Sequence, residues 1–134
     1  EWVDGITLCK WIHQLHKKEA SYPTANNSRS CILRECDMKI ILQLSCDISN
    51  ALAEIHCAGA THNNFTPDNV IIGDAGDGEN MRVKVIGLGS ASLLSDDINA
   101  CPKIQADILS LGSVLFEMFT GKCPFKGGHD CDLF

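Results

Sequence analysis

The sequence predicts an α+β domain, mainly helical, with a small β-ribbon. Three observations carry this reading. Apolar residues recur at helical spacing in three separate stretches, and two short apolar runs flank a Gly- and Asp-rich loop. No internal repeat or low-complexity segment interrupts the 134 residues, 45% of which are apolar, the composition of an ordinary globular domain.

Each element can be justified in order. Thr7 predicts the N-cap of a helix over 8–18, where Leu8, Trp11, Ile12 and Leu15 share one face. Residues 19–36 lose that period; the run from Ala20 to Ser30 is polar and rich in turn formers, and predicts a long loop. Asp37 is the expected N-cap of a second helix, whose stripe of Ile41, Leu44, Ile48, Ala51, Leu52 and Ile55 runs roughly five turns toward Gly59. Residues 70–72 and 81–86 read as strands, and 74–80 as their hairpin loop. A last helix is expected over 105–120. Its apolar positions 108, 111, 114, 115, 118 and 119 wrap widely enough to predict deep burial, with Gly121 and Pro124 ending it.

Composition excludes several function classes. Net charge is −6 and no basic stripe is present, which argues against nucleic acid as a partner. No apolar run approaches the roughly 18 residues of a membrane span, and no signal-peptide pattern opens the chain. Eight cysteines, at 9, 31, 36, 46, 57, 101, 123 and 131, include no C-x-x-C pair. Their scattered spacing favours reduced thiols and a cytoplasmic setting over a disulfide framework or a zinc site. Cys46 and Cys57 are expected as small buried hydrophobes, and Cys123, His129 and Cys131 as a loose cluster without a fourth ligand.

Four landmarks in order resemble the eukaryotic-type protein-kinase family over nearly the whole chain. His62-Asn63-Asn64-Phe65-Thr66-Pro67-Asp68-Asn69, running into Val70-Ile71-Ile72, resembles the catalytic loop H-R-D-L-K-x-x-N and its strand. Val83-Lys84-Val85-Ile86-Gly87-Leu88-Gly89 is similar to the strand entering the D-F-G loop. The run from Ala106 to Phe125 resembles the D-x-W-S-x-G helix and the T-G-x-x-P-F segment that ends it, and Glu1 to Leu8 reads like the hinge between the two lobes. The resemblance implies a partial domain over 1–134, the large lobe of a kinase-like fold. Its parts are a hinge at 1–7, helices over 8–60 with a loop at 19–36, a catalytic-loop region at 61–89, a shortened activation segment at 90–104 and a buried helix at 105–120. A small lobe would then come from the parent chain, a view that an initial Glu fits.

The frame is kept, but the charged groups are not. Asn64 stands at the position of the catalytic base, Thr66 at that of the lysine and Gly87 at that of the D-F-G aspartate. An amide has no useful proton affinity near neutral pH, and losing a general base costs about 10²- to 10⁴-fold. Asn69 is retained and offers one neutral oxygen, a poor magnesium site without a carboxylate. The resemblance thus leaves ATP as a weak ligand and argues against tight magnesium binding. In the family pattern Glu1 and Val3 would meet the adenine edge through backbone groups, Ile71 would lie under the ring and Thr7 would approach the ribose. His62, Leu88 and Asp107 would fill an internal structural column. Ser90, Ser92 and Ser95 are candidate phosphorylation sites in a short polar loop that carries no A-P-E.

Three readings follow. The first is a pseudokinase that serves other proteins as a signalling scaffold or allosteric module. The second is an unorthodox serine/threonine kinase that replaces its missing groups from elsewhere, with Asp68 near enough in sequence to be suspected. The third is a decayed fragment that does not fold alone.

Overall fold

The structure is a computed structural model and describes residues 4–20, 33–74, 80–95 and 100–125. A short strand β1 (Gly5–Thr7) leads directly into helix α1 (Leu8–Ala20), and the Thr7 hydroxyl accepts the Lys10 N–H at 3.2 Å, capping the first turn. Helix α2 (Glu35–Cys57) follows, then β2 (Ala60–Thr61), a 3-10 turn over Pro67–Asn69, and the hairpin strands β3 (Val70–Asp74) and β4 (Met81–Val85). A second 3-10 turn over Leu88–Ser90, strand β5 (Ser92–Leu93) and helix α3 (Ala100–Thr120) complete the described elements.

Two antiparallel sheets position the loops. One runs β1-β3-β4, with Thr7 opposite Ile71 and Val70 opposite Val85; the other pairs β2 with β5. The hairpin is the ribbon that the two apolar runs around the Gly- and Asp-rich loop predicted. The strand β1 was not foreseen, because three residues are too few to show a period. Its Gly5 is required there: a Cβ would strike the Ile72 carbonyl oxygen. Leu8, Ile12, Ile41, Leu44, Ile48, Leu52, Phe65, Val70, Val114 and Met118 form the buried core between the three helices and β3.

Several boundaries differ from expectation, each for a local reason. The loop expected over 19–36 gives up both ends to helix, and residues 21–32 lie outside the described residues. Asp37 is not the N-cap of α2. Arg34 takes that position without a side-chain cap, and Asp37 sits in the first turn, where its carboxylate is buried, accepts the Arg34 Nε–H at 2.8 Å and suits the positive helix end. The helix expected over 105–120 opens at Ala100. Pro102 is tolerated in a first turn, where backbone N–H groups lack helical partners anyway. Nor is α3 deeply buried. Asp107, Val114 and Met118 are enclosed, but Ile108, Leu109 and Phe116 are exposed, Leu109 by 71%. Cys46 and Cys57 are likewise exposed on α2, not core hydrophobes; His129 and Cys131 of the expected cluster lie outside the described residues. Among the described residues no helix is long and apolar enough to cross a membrane.

Candidate functional site

The C-terminus of α2 sets the site. The Ala58 and Gly59 N–H groups bond the Glu54 and His56 carbonyls, and Gly59 takes φ +80°, reversing the chain into β2 and the loop that starts at His62. Asp107 of α3 ties that loop down. One of its carboxylate oxygens accepts the His62 N–H (2.8 Å) and the His56 ring Nε2 (2.9 Å), and the other accepts the Asn63 N–H (2.8 Å). Burial pushes the Asp107 carboxyl up, but these hydrogen bonds outweigh it and hold it below its ordinary value. Two backbone donors in a tight turn are thereby satisfied by one buried anion.

His62 is fully buried. Its Nε2 donates to the Ile86 carbonyl (2.8 Å), which leaves Nδ1 to accept the Asn64 N–H (3.3 Å), and its ring meets Phe65 edge-on at 5.5 Å. Asn63 adopts φ +63°, a left-handed conformation that asparagine tolerates. Its amide donates to the Ser90 carbonyl (2.7 Å) and the Ser92 hydroxyl (2.6 Å), tying the loop to the segment after β4.

Asn69 and Gly87 face each other across the site. The Asn69 carbonyl accepts the Ile86 N–H (2.8 Å), and its side-chain Nδ2 donates to the Asn64 carbonyl (2.8 Å). Gly87 takes φ +77°, and a Cβ there would lie 2.5 Å from the Asn69 Oδ1. A side chain at 87 would therefore have to push the Asn69 amide aside. Thr66 is extended, makes no capping bond to the turn it precedes, and brings no charge. Among the described residues no group of three or more His, Cys, Asp or Glu is placed to hold a metal ion.

The remaining predicted residues divide. Thr7 and Ile71 are half-buried register partners on β1 and β3, and the Thr7 hydroxyl is engaged in the helix cap. Glu1 and Val3 lie outside the described residues. Leu88 does not join His62 and Asp107: after Gly87 the chain closes into a 3-10 turn, and Leu88 is 53% exposed. Sequence reasoning missed His56, the third partner of Asp107, although its place in the last turn of α2 was a signal. It missed Asn63 as a brace, although asparagine is the residue that a left-handed position favours. It also missed Glu117 of α3, whose carboxyl is pushed up by burial and by the charge of Asp68.

No family model matches the chain. Curated proteins do. The "Probable serine/threonine-protein kinase PknB" of Lactococcus lactis is 28% identical over 95% of this chain and 20% of that protein. Human serine/threonine-protein kinase ULK1 is 25% identical over 99% of this chain and 13% of its own length, and PknL of Mycobacterium tuberculosis is 31% identical over 60% and 24%. The chain thus spans about a fifth or less of the first two of these relatives. Among solved structures, the Rad53 kinase domain and SCD2 in complex with AMPPNP matches with a TM-score of 0.64 at 21% identity, covering 96% of this chain and 45% of that one. The chain is thus similar to serine/threonine protein kinases over most of its length, and its fold is that of part of a kinase-like domain.

Proposed function

We propose that this chain is the large-lobe part of a pseudokinase, a kinase-shaped module that binds other proteins in a signalling chain and does not transfer phosphate. The observation that carries this is the packing of Asn69 against Gly87, where a Cβ would come within 2.5 Å of Oδ1. A side chain at 87 would have to displace the Asn69 amide and would be strained at φ +77°, so glycine suits this position as the chain is folded. With Asn64 at the base position and Thr66 at the lysine position, base, metal ligand and cation are all absent. Phosphoryl transfer relies on those groups for positioning and charge neutralisation, so their losses compound. ATP would bind weakly, through backbone and apolar groups around Ile71, without magnesium. The scattered free thiols fit a cytoplasmic setting.

A second reading has an observation of its own. The curated relatives named above are serine/threonine kinases, and a relative of theirs that keeps the loop frame could transfer phosphate with a substitute carboxylate. Asp68 is exposed on the Pro67–Asn69 turn, but its charge is felt at Glu117 of α3. The test is a labelled-ATP transfer assay on the intact parent chain with magnesium or manganese, beside an Asn69→Ala control. Incorporation no greater than in the control, from folded protein, is the expected result. Transfer that disappears in the control would establish the kinase reading.

A further inference from the structure

Helix α1 collects cations in a chain of net charge −6. Its 13 residues hold three lysines and two histidines against one glutamate, whereas the whole sequence has 17 acidic residues against 11 lysines and arginines. Helical phase explains why no basic stripe shows in the sequence itself. Leu8 and Ile12 are buried and Leu15 is half-buried, which turns Lys10, His13, Gln14 and Lys17 to the opposite side. All four are exposed, and Lys18 is exposed beside them. Among the described residues the ammonium groups of Lys10 and Lys18 form no ion pair, unlike that of Lys39, which meets Glu35 on α2.

We propose that this face of α1 docks an acidic, carboxylate-rich segment of a partner protein. The match is one of charge and of width. Lys10 and Lys17 stand two helical turns apart, about 10 Å along the axis. A narrow segment can therefore set Asp or Glu side chains against both, while His13 and Gln14 donate hydrogen bonds between them. A broad anionic surface, such as a bilayer or a nucleic-acid backbone, would also have to approach the rest of a molecule whose charge is −6. Nor does this face carry an exposed apolar side chain to insert among lipids. The proposal names the partner class for the binding-module reading and rests on it only in that sense, because α1 holds none of the catalytic-loop residues.

The test measures peptide binding in the absence of nucleotide, so its failure is separate from any result on phosphoryl transfer. A fluorescein-labelled peptide of alternating glutamate and serine is titrated with the intact parent chain and followed by anisotropy, beside a lysine–serine peptide of the same length and phosphatidylserine vesicles. The glutamate peptide is expected to bind and the lysine peptide not, with affinity falling as salt rises from about 0.05 to about 0.5 M. Lys10→Gln with Lys17→Gln, exposed changes between residues of similar helix propensity, is expected to weaken binding about fivefold. Lys10→Arg with Lys17→Arg keeps the charge and should keep the affinity. Lys39→Gln with Arg82→Gln removes the same formal charge from exposed positions on α2 and β4 and is expected to change nothing. No binding of the glutamate peptide, or an equal loss in the α2 and β4 variant, would overturn the proposal. So would vesicles bound as tightly as the peptide, or self-association of the parent chain, that the α1 glutamine variant abolishes.

Discussion

Asp107 is the residue on which the loop geometry depends most directly, because a single carboxylate 1% exposed holds His62, Asn63 and His56 together. Its folded-state pKa is depressed from the ordinary 3.8, so it contributes stability that is fully present above that value and is lost as pH falls through the lower folded value. Asp107→Asn keeps the shape but removes the charge, at a cost of about 2–4 kcal/mol at neutral pH. Thermal unfolding of the parent chain followed from about pH 5 to about pH 3 should show a shallower acid decline in the variant than in the wild type. Glu117 has the opposite sign. Its raised pKa means that stability is complete below the ordinary 4.5 and is lost as pH rises through the folded value, so Glu117→Gln should gain on the wild type above that range. Thr61 makes a different point. It is fully buried, and among the described residues its hydroxyl has no hydrogen-bond partner. Replacing a buried unpaired hydroxyl by a methyl group removes a desolvation penalty, and Thr61→Val should be neutral or stabilising by up to about 1 kcal/mol in a denaturant midpoint.

At the scale of elements, the helix ends separate backbone strain from steric room. Gly59 after α2 and Gly121 after α3 both take positive φ, +80° and +69°, yet a Cβ at Gly59 meets nothing within 4 Å while one at Gly121 would lie 2.6 Å from the His16 ring. Gly59→Ala should therefore cost about 1 kcal/mol, the left-handed penalty alone. Gly121→Ala should cost about 2 kcal/mol, because the ring must also move and give up its Nε2 bond to the Met118 carbonyl at 3.0 Å. In a His16→Ala background the second cost should shrink toward the first, a coupling that a double-mutant cycle in urea would read. The helices were legible in the sequence because a period of 3.6 persists over enough residues to be seen, and the hairpin because a Gly- and Asp-rich run separates two apolar ones. The start of α2 was not. Asp37 looked like a cap because aspartate favours both the N-cap and the first turn, and only the backbone distinguishes the two. The depth of α3 was misjudged for a related reason. An apolar residue in a helix shows that something covers it, not that the cover lies within these residues.

For the whole molecule, the loop frame was readable while its bracing was not. His62, Asn69 and Asp107 were marked by the resemblance to the kinase motifs, whereas the His56–Asp107 bond joins residues 51 apart and the Gly87–Asn69 contact depends on how two loops approach. The same limit shapes the last prediction. Ile108, Leu109 and Phe116 form a stripe at helical spacing on α3, exposed by 54%, 71% and 47%. A solvent-facing apolar stripe of this length is a site for association. The chain covers 45% of the Rad53 structure it matches, so that fold contains surface beyond what is described here. Residues 1–134 expressed alone should bind a hydrophobic dye and sediment as more than a monomer, and Leu109→Lys with Phe116→Lys should reduce both signals. In the intact parent chain the same pair should instead lower the unfolding temperature, because burying a lysine in place of an apolar side chain leaves a charge without water. Opposite effects in the two settings would show that the stripe is an internal face of the complete domain. A benign effect in both would mean that the stripe faces solvent in the intact protein as well.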